Sequence, residues 1–143
     1  MTVTFIAGPY YTPQTAQLTI TDSSPGSPQA VPLTATVINP RVGLSASSLS
    51  FGTHKVNTST TTSLKITNTG ATNLSILGVT MKGADPLDFS APNTCPPTLT
   101  PGGFCSLSVT FTPKAKGSRT ASLSITDNAQ NSPQSVSLSG SGN

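Results

Sequence analysis

Acidic and aromatic side chains are scarce in this chain of 143 residues, which contains four Asp, no Glu and no Trp. Charged residues make up 8% of the sequence and there is one His, so general acid–base catalysis has few candidate groups. The sequence also lacks a glycine-rich phosphate loop, a Gly-x-Ser-x-Gly motif and a supported pair of acids. We therefore expect no enzyme activity, no cofactor and no metal site.

Long apolar runs and dense positive charge are also missing. No segment approaches the roughly 18 consecutive apolar residues of a membrane span, so we expect no direct membrane insertion. The net charge of +3 comes from seven scattered Lys and Arg residues. The densest basic group is Lys114, Lys116 and Arg119, in a predicted loop without aromatic residues for base stacking. We expect no nucleic-acid binding.

The residues that are abundant favour short β-strands. Ser and Thr fill the polar positions, and 13 Pro and 12 Gly punctuate the chain at short intervals. Apolar residues alternate with hydroxyl residues most clearly over residues 107–111, 121–125 and 136–138. About seven strands in roughly 100 residues predict an all-β fold, an antiparallel β-sandwich of the immunoglobulin type. We also predict a first strand ending at Gly52, a bulge near Gly78 and a core position for Phe89.

Several blocks of sequence occur twice in the chain. Leu123 lies 105 residues after Leu18, and most of the other repeated blocks have the same spacing. A period of that length corresponds to one domain rather than to one turn of a solenoid. The blocks are residues 3–5 and 109–111, 18–22 and 123–127, and 27–29 and 132–134. The repetition predicts a tandem arrangement, in which residues 1–39 are the closing strands of a preceding immunoglobulin-like repeat and residues 40–143 form a complete one.

The first 39 residues are too few to enclose a core of their own. Their alternating pattern nevertheless places five apolar residues on a face that needs a cover: Leu18, Ile20, Val31, Leu33 and Val37. The cover could be upstream strands of a longer chain, the complete domain, or a neighbouring copy that lends strands across an edge. We hypothesise self-assembly through these strands, which produces a fibre if the contact does not close. The competing interpretation is a fragment whose first part packs on its own neighbour.

An ordered set of short motifs extends along the second part of the chain. They are Leu-Ser-Phe-Gly at 49–52, Ile-Thr-Asn-Thr-Gly at 66–70, Asp-Phe at 88–89, Cys95, Gly-Phe-Cys at 103–105, Val-Thr-Phe-Thr-Pro at 109–113 and Ser-Pro-Gln at 132–134. Together they resemble the bacterial choice-of-anchor D repeats, relatives of the ASPM-SPD-2-Hydin and PapD-like immunoglobulin folds. The resemblance covers residues 42–143 and returns over residues 3–37. It implies a bacterial extracellular or cell-surface protein with several such domains and no catalytic residues.

Cys95 and Cys105 flank a loop rich in Pro and Gly and are the only cysteines. We predict a disulfide between them, worth roughly 2.5 to 3 kcal/mol in lost unfolded-state entropy. Two reduced, buried thiols and a metal pair with His54 as the sole nitrogen ligand are the alternatives. A disulfide indicates an oxidising compartment, which agrees with an extracellular or cell-surface location.

The four Asp residues favour structural roles. Asp22 and Asp127 occupy equivalent positions of the repeat, which indicates a structural role shared by both copies. We predict that Asp127 caps its own turn rather than binding calcium. Asp85 and Asp88 could contribute to a cation site, but no loop rich in oxygen ligands surrounds them.

The leading functional hypothesis is a non-catalytic structural module of a secreted or surface-displayed repeat protein. It would act as a spacer, an adhesive stalk or a subunit of an extracellular fibre, with neighbouring repeats or other copies of the chain as partners. The alternative is a carbohydrate- or protein-binding module that uses end loops, with Tyr10 and Tyr11 as a stacking surface. A third class is an accessory domain attached to a catalytic unit.

Overall fold

Short strands separated by turns make up most of the chain in a computed structural model that describes Thr4 and residues 13–143. The chain divides into two compact units, Met1–Ile38 and Asn39–Asn143. In the first unit, β1 (Gln14–Ile20) and β2 (Gln29–Ala35) pair as an antiparallel hairpin.

The second unit, which the structure describes completely, contains nine strands and one 3-10 turn, Pro86–Asp88. The strands are β3 (Val42–Leu44), β4 (Ser48–His54), β5 (Thr60–Asn68), β6 (Leu74–Lys82), β7 (Phe89–Ser90), β8 (Thr98–Leu99), β9 (Phe104–Phe111), β10 (Gly117–Asp127) and β11 (Gln134–Gly142).

These strands form two sheets, with the orders β4-β11-β10-β6-β8 and β3-β5-β9-β7. All neighbours are antiparallel except β4 and β11, which run parallel. Residues 45–47 separate β3 from β4 and carry the chain from one sheet to the other. The prediction of an all-β fold of the immunoglobulin type is therefore confirmed. The expected single first strand is in fact two, because its halves belong to different sheets.

The core follows directly from the alternation in the sequence. In β9, Leu107, Val109 and Phe111 are fully buried, while Ser106 and Ser108 on the other face are exposed. The ring of Phe111 lies 4.8 Å from that of Phe89 and 5.6 Å from that of Phe51, centroid to centroid. Since Phe51 belongs to the other sheet, this cluster ties the two sheets together. The predicted core position of Phe89 is confirmed.

Gly78 and Gly52 lie where the register between neighbouring strands shifts. The prediction for Gly78 is confirmed, and the prediction for Gly52 is wrong. The register shift between Thr126 and Asp127 falls opposite Gly78, which confirms the bulge predicted there. Gly52 does not end its strand, because β4 continues to His54. With a φ of +72°, Gly52 allows the strand to bulge against β11 and then resume pairing.

Hairpin β1–β2 repeats the register and the turn of hairpin β10–β11. Leu18 pairs with Val31, as Leu123 pairs with Val136. In the first turn the Asp22 carboxylate accepts a hydrogen bond of 2.8 Å from the backbone N–H of Ser24, and the Asp127 carboxylate accepts the equivalent one from Ala129. Each Asp N–H in turn donates to a Ser hydroxyl five residues later, at 2.9 Å. The predicted turn-capping role of Asp127 is confirmed, and Asp22 has the same role in the first hairpin.

Candidate functional site

Cys95 and Cys105 form the predicted disulfide, with their Cα atoms 5.4 Å apart. The bond links the irregular segment after β7 to the buried start of β9 and closes a loop that contains β8. Both cysteines belong to this disulfide, so the alternatives of two reduced thiols and of a metal pair are wrong.

Asn68, at the end of β5, organises the loops next to the disulfide. Its side chain is fully buried and its Nδ2 donates to the carbonyl oxygens of Thr72 and Leu99, at 2.7 and 2.9 Å. Its Oδ1 accepts from the N–H of Gly70 at 3.0 Å. Its own backbone N–H and carbonyl bind the turn of residues 102–103. Sequence reasoning missed this role, because the residues that Asn68 joins lie up to 35 positions away.

Arg119 joins the other notable polar group, together with Asp85 and Asp88. Arg119 Nη2 lies 2.6 Å from Asp85 Oδ1, and Arg119 Nε lies 2.6 Å from Asp88 Oδ2. The placement of Arg119 in an exposed basic loop is therefore wrong. It lies within β10 and points toward the 3-10 turn, because two carboxylates there neutralise its charge.

The Asp88 carboxylate is almost completely buried, with 2% of its side chain exposed. Burial by itself disfavours its charge, but hydrogen bonds from Arg119 and from the Lys114 N–H outweigh this and lower the pKa of Asp88. The same hydrogen bond to Asp88 raises the pKa of Arg119. Every group in the cluster has a protein partner, so this geometry clamps the 3-10 turn to β10.

Within the residues that the structure describes, no group of three His, Cys, Asp or Glu side chains is placed to hold a metal ion. His54 lies at the end of β4, two residues beyond the predicted strand end at Gly52. Its Nε2 is 2.8 Å from the carbonyl oxygen of Phe51, and its ring meets Phe111 edge-on. This side chain is used in packing around the aromatic cluster.

None of the described segments forms a helix of the length and hydropathy that a membrane crossing requires.

The apolar face predicted for the first unit lies on hairpin β1–β2. Leu18 and Leu33 are half-buried, whereas Ile20 and Val31 are 39% and 42% exposed. The described residues thus leave this face partly open. Val37 lies two residues beyond the end of β2 at Ala35 and is half-buried. Tyr10 and Tyr11 lie outside the described residues.

Hydroxyl side chains cover the outer faces of both sheets in the second unit. On one sheet Ser50, Ser139 and Thr120 stand in one row across three strands. On the other sheet the hydroxyls of Thr61 and Thr110 lie 2.9 Å apart. These faces combine little charge with little apolar area.

One aromatic side chain interrupts the hydroxyl faces. The ring of Phe104 is 59% exposed, and the Lys65 Nζ lies 4.0 Å from its centroid. Phe104 is adjacent to the disulfide, at the end of the sheet where β9 begins.

Many solved structures share this fold, including three that each align with most of this chain. A protein of unknown function from Porphyromonas gingivalis W83 aligns with a TM-score of 0.63 and 17% identity, over 95% of this chain and 68% of that one. The ASH/PapD-like domain 7 of human CEP192 gives a TM-score of 0.56 and 18% identity, over 100% and 96%. The periplasmic chaperone SfaE gives 0.50 and 13%, over 71% and 58%. A search of curated proteins gave no significant match.

A family model described as abnormal spindle-like microcephaly-associated, ASPM-SPD-2-Hydin matches residues 35–135. The matched segment includes the disulfide, the hydrogen bonds of Asn68, and Arg119 with its partners Asp85 and Asp88. It therefore covers nearly all of the second unit. The chain therefore belongs to the ASPM-SPD-2-Hydin (ASH) family of PapD-like immunoglobulin folds.

Proposed function

We propose that this chain is a non-catalytic structural module of a secreted or cell-surface bacterial repeat protein. In that role, domains like residues 40–143 follow one another along the chain and serve as a spacer, an adhesive stalk or a subunit of an extracellular fibre. Residues 1–39 are, in this proposal, the closing strands of a preceding repeat.

The observation that carries the proposal is the recurrence of one hairpin 105 residues apart. The two hairpins share their register, their apolar positions and their Asp-capped turns. Duplication of a whole domain is the simplest origin of such a match. Tandem domains suit a molecule whose function is to span a distance.

Two further features support this role. The disulfide is stable in oxidising compartments outside the cytosol. The hydroxyl-covered sheet faces present neither strong charge nor a large apolar patch, so neighbouring domains need not dock on them. The linkers between domains can then set the arrangement of the domains along the chain. Pro40 lies in the connecting segment and restricts its backbone, which stiffens the link.

Electron microscopy of the parent protein, purified from its source with an antibody against residues 40–143, tests the proposal. We expect extended particles in which beads of one-domain size repeat along the length. A compact particle in which these residues form part of a single globule would contradict the structural role.

Exposed Phe104 favours one alternative, a carbohydrate- or protein-binding module. Aromatic rings at the end of a β-sandwich are suitable platforms for sugar faces. Binding on a glycan array that is lost in the Phe104→Ala variant would support this alternative. Binding lost only when Tyr10 and Tyr11 are both replaced by Ala would assign it to the predicted tyrosine surface instead.

A further inference from the structure

The two copies of the repeated hairpin differ in how well their apolar faces are covered. In β10 and β11 the inward residues are 0–9% exposed: Ala121, Leu123, Ile125, Val136 and Leu138. In β1 and β2 the residues at the equivalent positions are half-buried or exposed, with Ile20 at 39% and Val31 at 42%. Since sequence and register match, the difference arises from what lies against each hairpin.

The second unit shows what covers such a hairpin. There β6 pairs along the free edge of β10, β4 pairs along the free edge of β11, and the sheet β3-β5-β9-β7 packs on the apolar face. All of these strands come from residues 42–111, and the last three of those residues recur in the sequence as residues 3–5. The described residues provide no third strand beside β1 or β2.

We propose that hairpin β1–β2 is a docking surface for one kind of partner, a polypeptide segment with the strand pattern of residues 40–106. That segment belongs to a preceding repeat of the same chain type. It adds one strand to each edge of the hairpin and lays a facing sheet over Leu18, Ile20, Val31 and Leu33. This inference rests on the tandem arrangement in the proposed function, but not on the role as spacer.

A second copy of the 143-residue chain is a poorer partner for this surface. In every copy, the strands that could cover the hairpin already hold β10 and β11 of the same chain. Those two strands are covalently attached, so their effective concentration exceeds that of a hairpin arriving from solution. A hairpin from another copy would therefore have to displace β10 and β11, which are attached to the same chain as the strands they pair with.

The test extends the full chain with a duplicate of residues 40–106 placed directly before Met1, which restores the 40–143 pattern ahead of Asn39. Hydrogen exchange followed by mass spectrometry reports on residues 14–35. We expect these amides to exchange at least about 100-fold more slowly in the extended chain than in the original one. We also expect a second disulfide to form within the duplicate.

Two variants of the extended chain control for non-specific effects. Val31→Asp places a charge on the docking face and should abolish the added protection. Thr34→Asp, on the opposite, exposed face of the same strand, should leave the protection intact.

Two results would overturn the docking inference. One is unchanged exchange of residues 14–35 in the extended chain. The other is a dimer of the original chain in light scattering that Val31→Asp dissociates, since the partner would then be a second copy. Neither result bears on the particle shape of the parent protein, so this inference and the proposed spacer role can fail separately.

Discussion

Asn68 forms hydrogen bonds with several backbone groups from one fully buried position. Replacing its amide by a group of the same shape should therefore lower the stability of the fold. In Asn68→Asp the carbonyls of Thr72 and Leu99 lose their donor, and a carboxylate replaces it beside them. We expect the free energy of unfolding, measured in urea, to fall by about 3 kcal/mol or more.

The matched control for Asn68→Asp is Asn93→Asp. Asn93 is exposed, and its Oδ1 only accepts a hydrogen bond from the N–H of Cys95, a role that an Asp carboxylate also fills. This variant should stay within about 0.5 kcal/mol of the parent chain. Equal effects of the two substitutions would show that the Asn68 donors contribute nothing.

Asp88 gives the second unit a stability that depends on pH. Its pKa is lowered in the folded state, so its contribution is complete above the unfolded-state value near 3.9 and is lost as the pH falls through the folded-state pKa. Asp88→Asn should therefore lower the urea midpoint at pH 7 and flatten the change in midpoint between pH 5 and pH 3. Unfolding curves at pH 7, 5 and 3 measure both effects.

Asp22→Asn provides the comparison for Asp88→Asn. The N–H of Ser24 lowers the pKa of Asp22 as well, but this carboxylate lies in the turn of the first unit. The acid-dependent change in the main unfolding transition should persist in Asp22→Asn. If it persists equally in Asp88→Asn, another carboxyl group is responsible for it.

At the scale of elements, the disulfide loop is the feature whose stabilisation can be estimated. The bond spans ten residue positions, and closing a loop of that size removes about 3 kcal/mol of entropy from the unfolded chain. The Cys95→Ser/Cys105→Ser double variant should lose that amount in urea unfolding. Reduced parent chain should unfold at the same midpoint as the variant. A variant midpoint equal to that of the oxidised parent would mean that the Asn68 contacts already restrain the loop.

The strands that the sequence predicts best are those in which one face is buried. In β9 the apolar alternation is nearly complete and burial follows it, and in β10 burial follows it from Ala121 to Ile125 except at Ser124, which is buried. The disulfide could also be predicted, because only two cysteines are present. In both cases the deciding information lies within a few neighbouring residues or in a single possible pairing.

The elements that sequence reasoning placed wrongly depend on distant partners. Arg119 lies 31 positions from Asp88, and nothing near Arg119 in the sequence indicates a carboxylate partner. The sequence at Gly52 indicates the end of a strand, but β4 pairs with β11 and continues past Gly52 through a bulge. The pairing of distant strands therefore decided these positions, and local propensity did not.

At the scale of the whole molecule, the chain contains the same hairpin in two environments. Leu18 and Leu123 occupy equivalent positions and pair with equivalent valines, yet Leu123 is fully buried while Leu18 is only half-buried. The same substitution at these two positions therefore compares a complete core with an open face in one polypeptide.

Leu123→Ala should lower the free energy of unfolding of the main transition by about 3 kcal/mol, because it leaves a cavity between two sheets. Leu18→Ala should leave that transition within about 0.5 kcal/mol of the parent, since the neighbours of Leu18 do not enclose it. Urea unfolding monitored by circular dichroism measures both. A loss from Leu18→Ala comparable to that from Leu123→Ala would show that β1–β2 contributes to the same cooperative core, and the hairpin would then need no further cover.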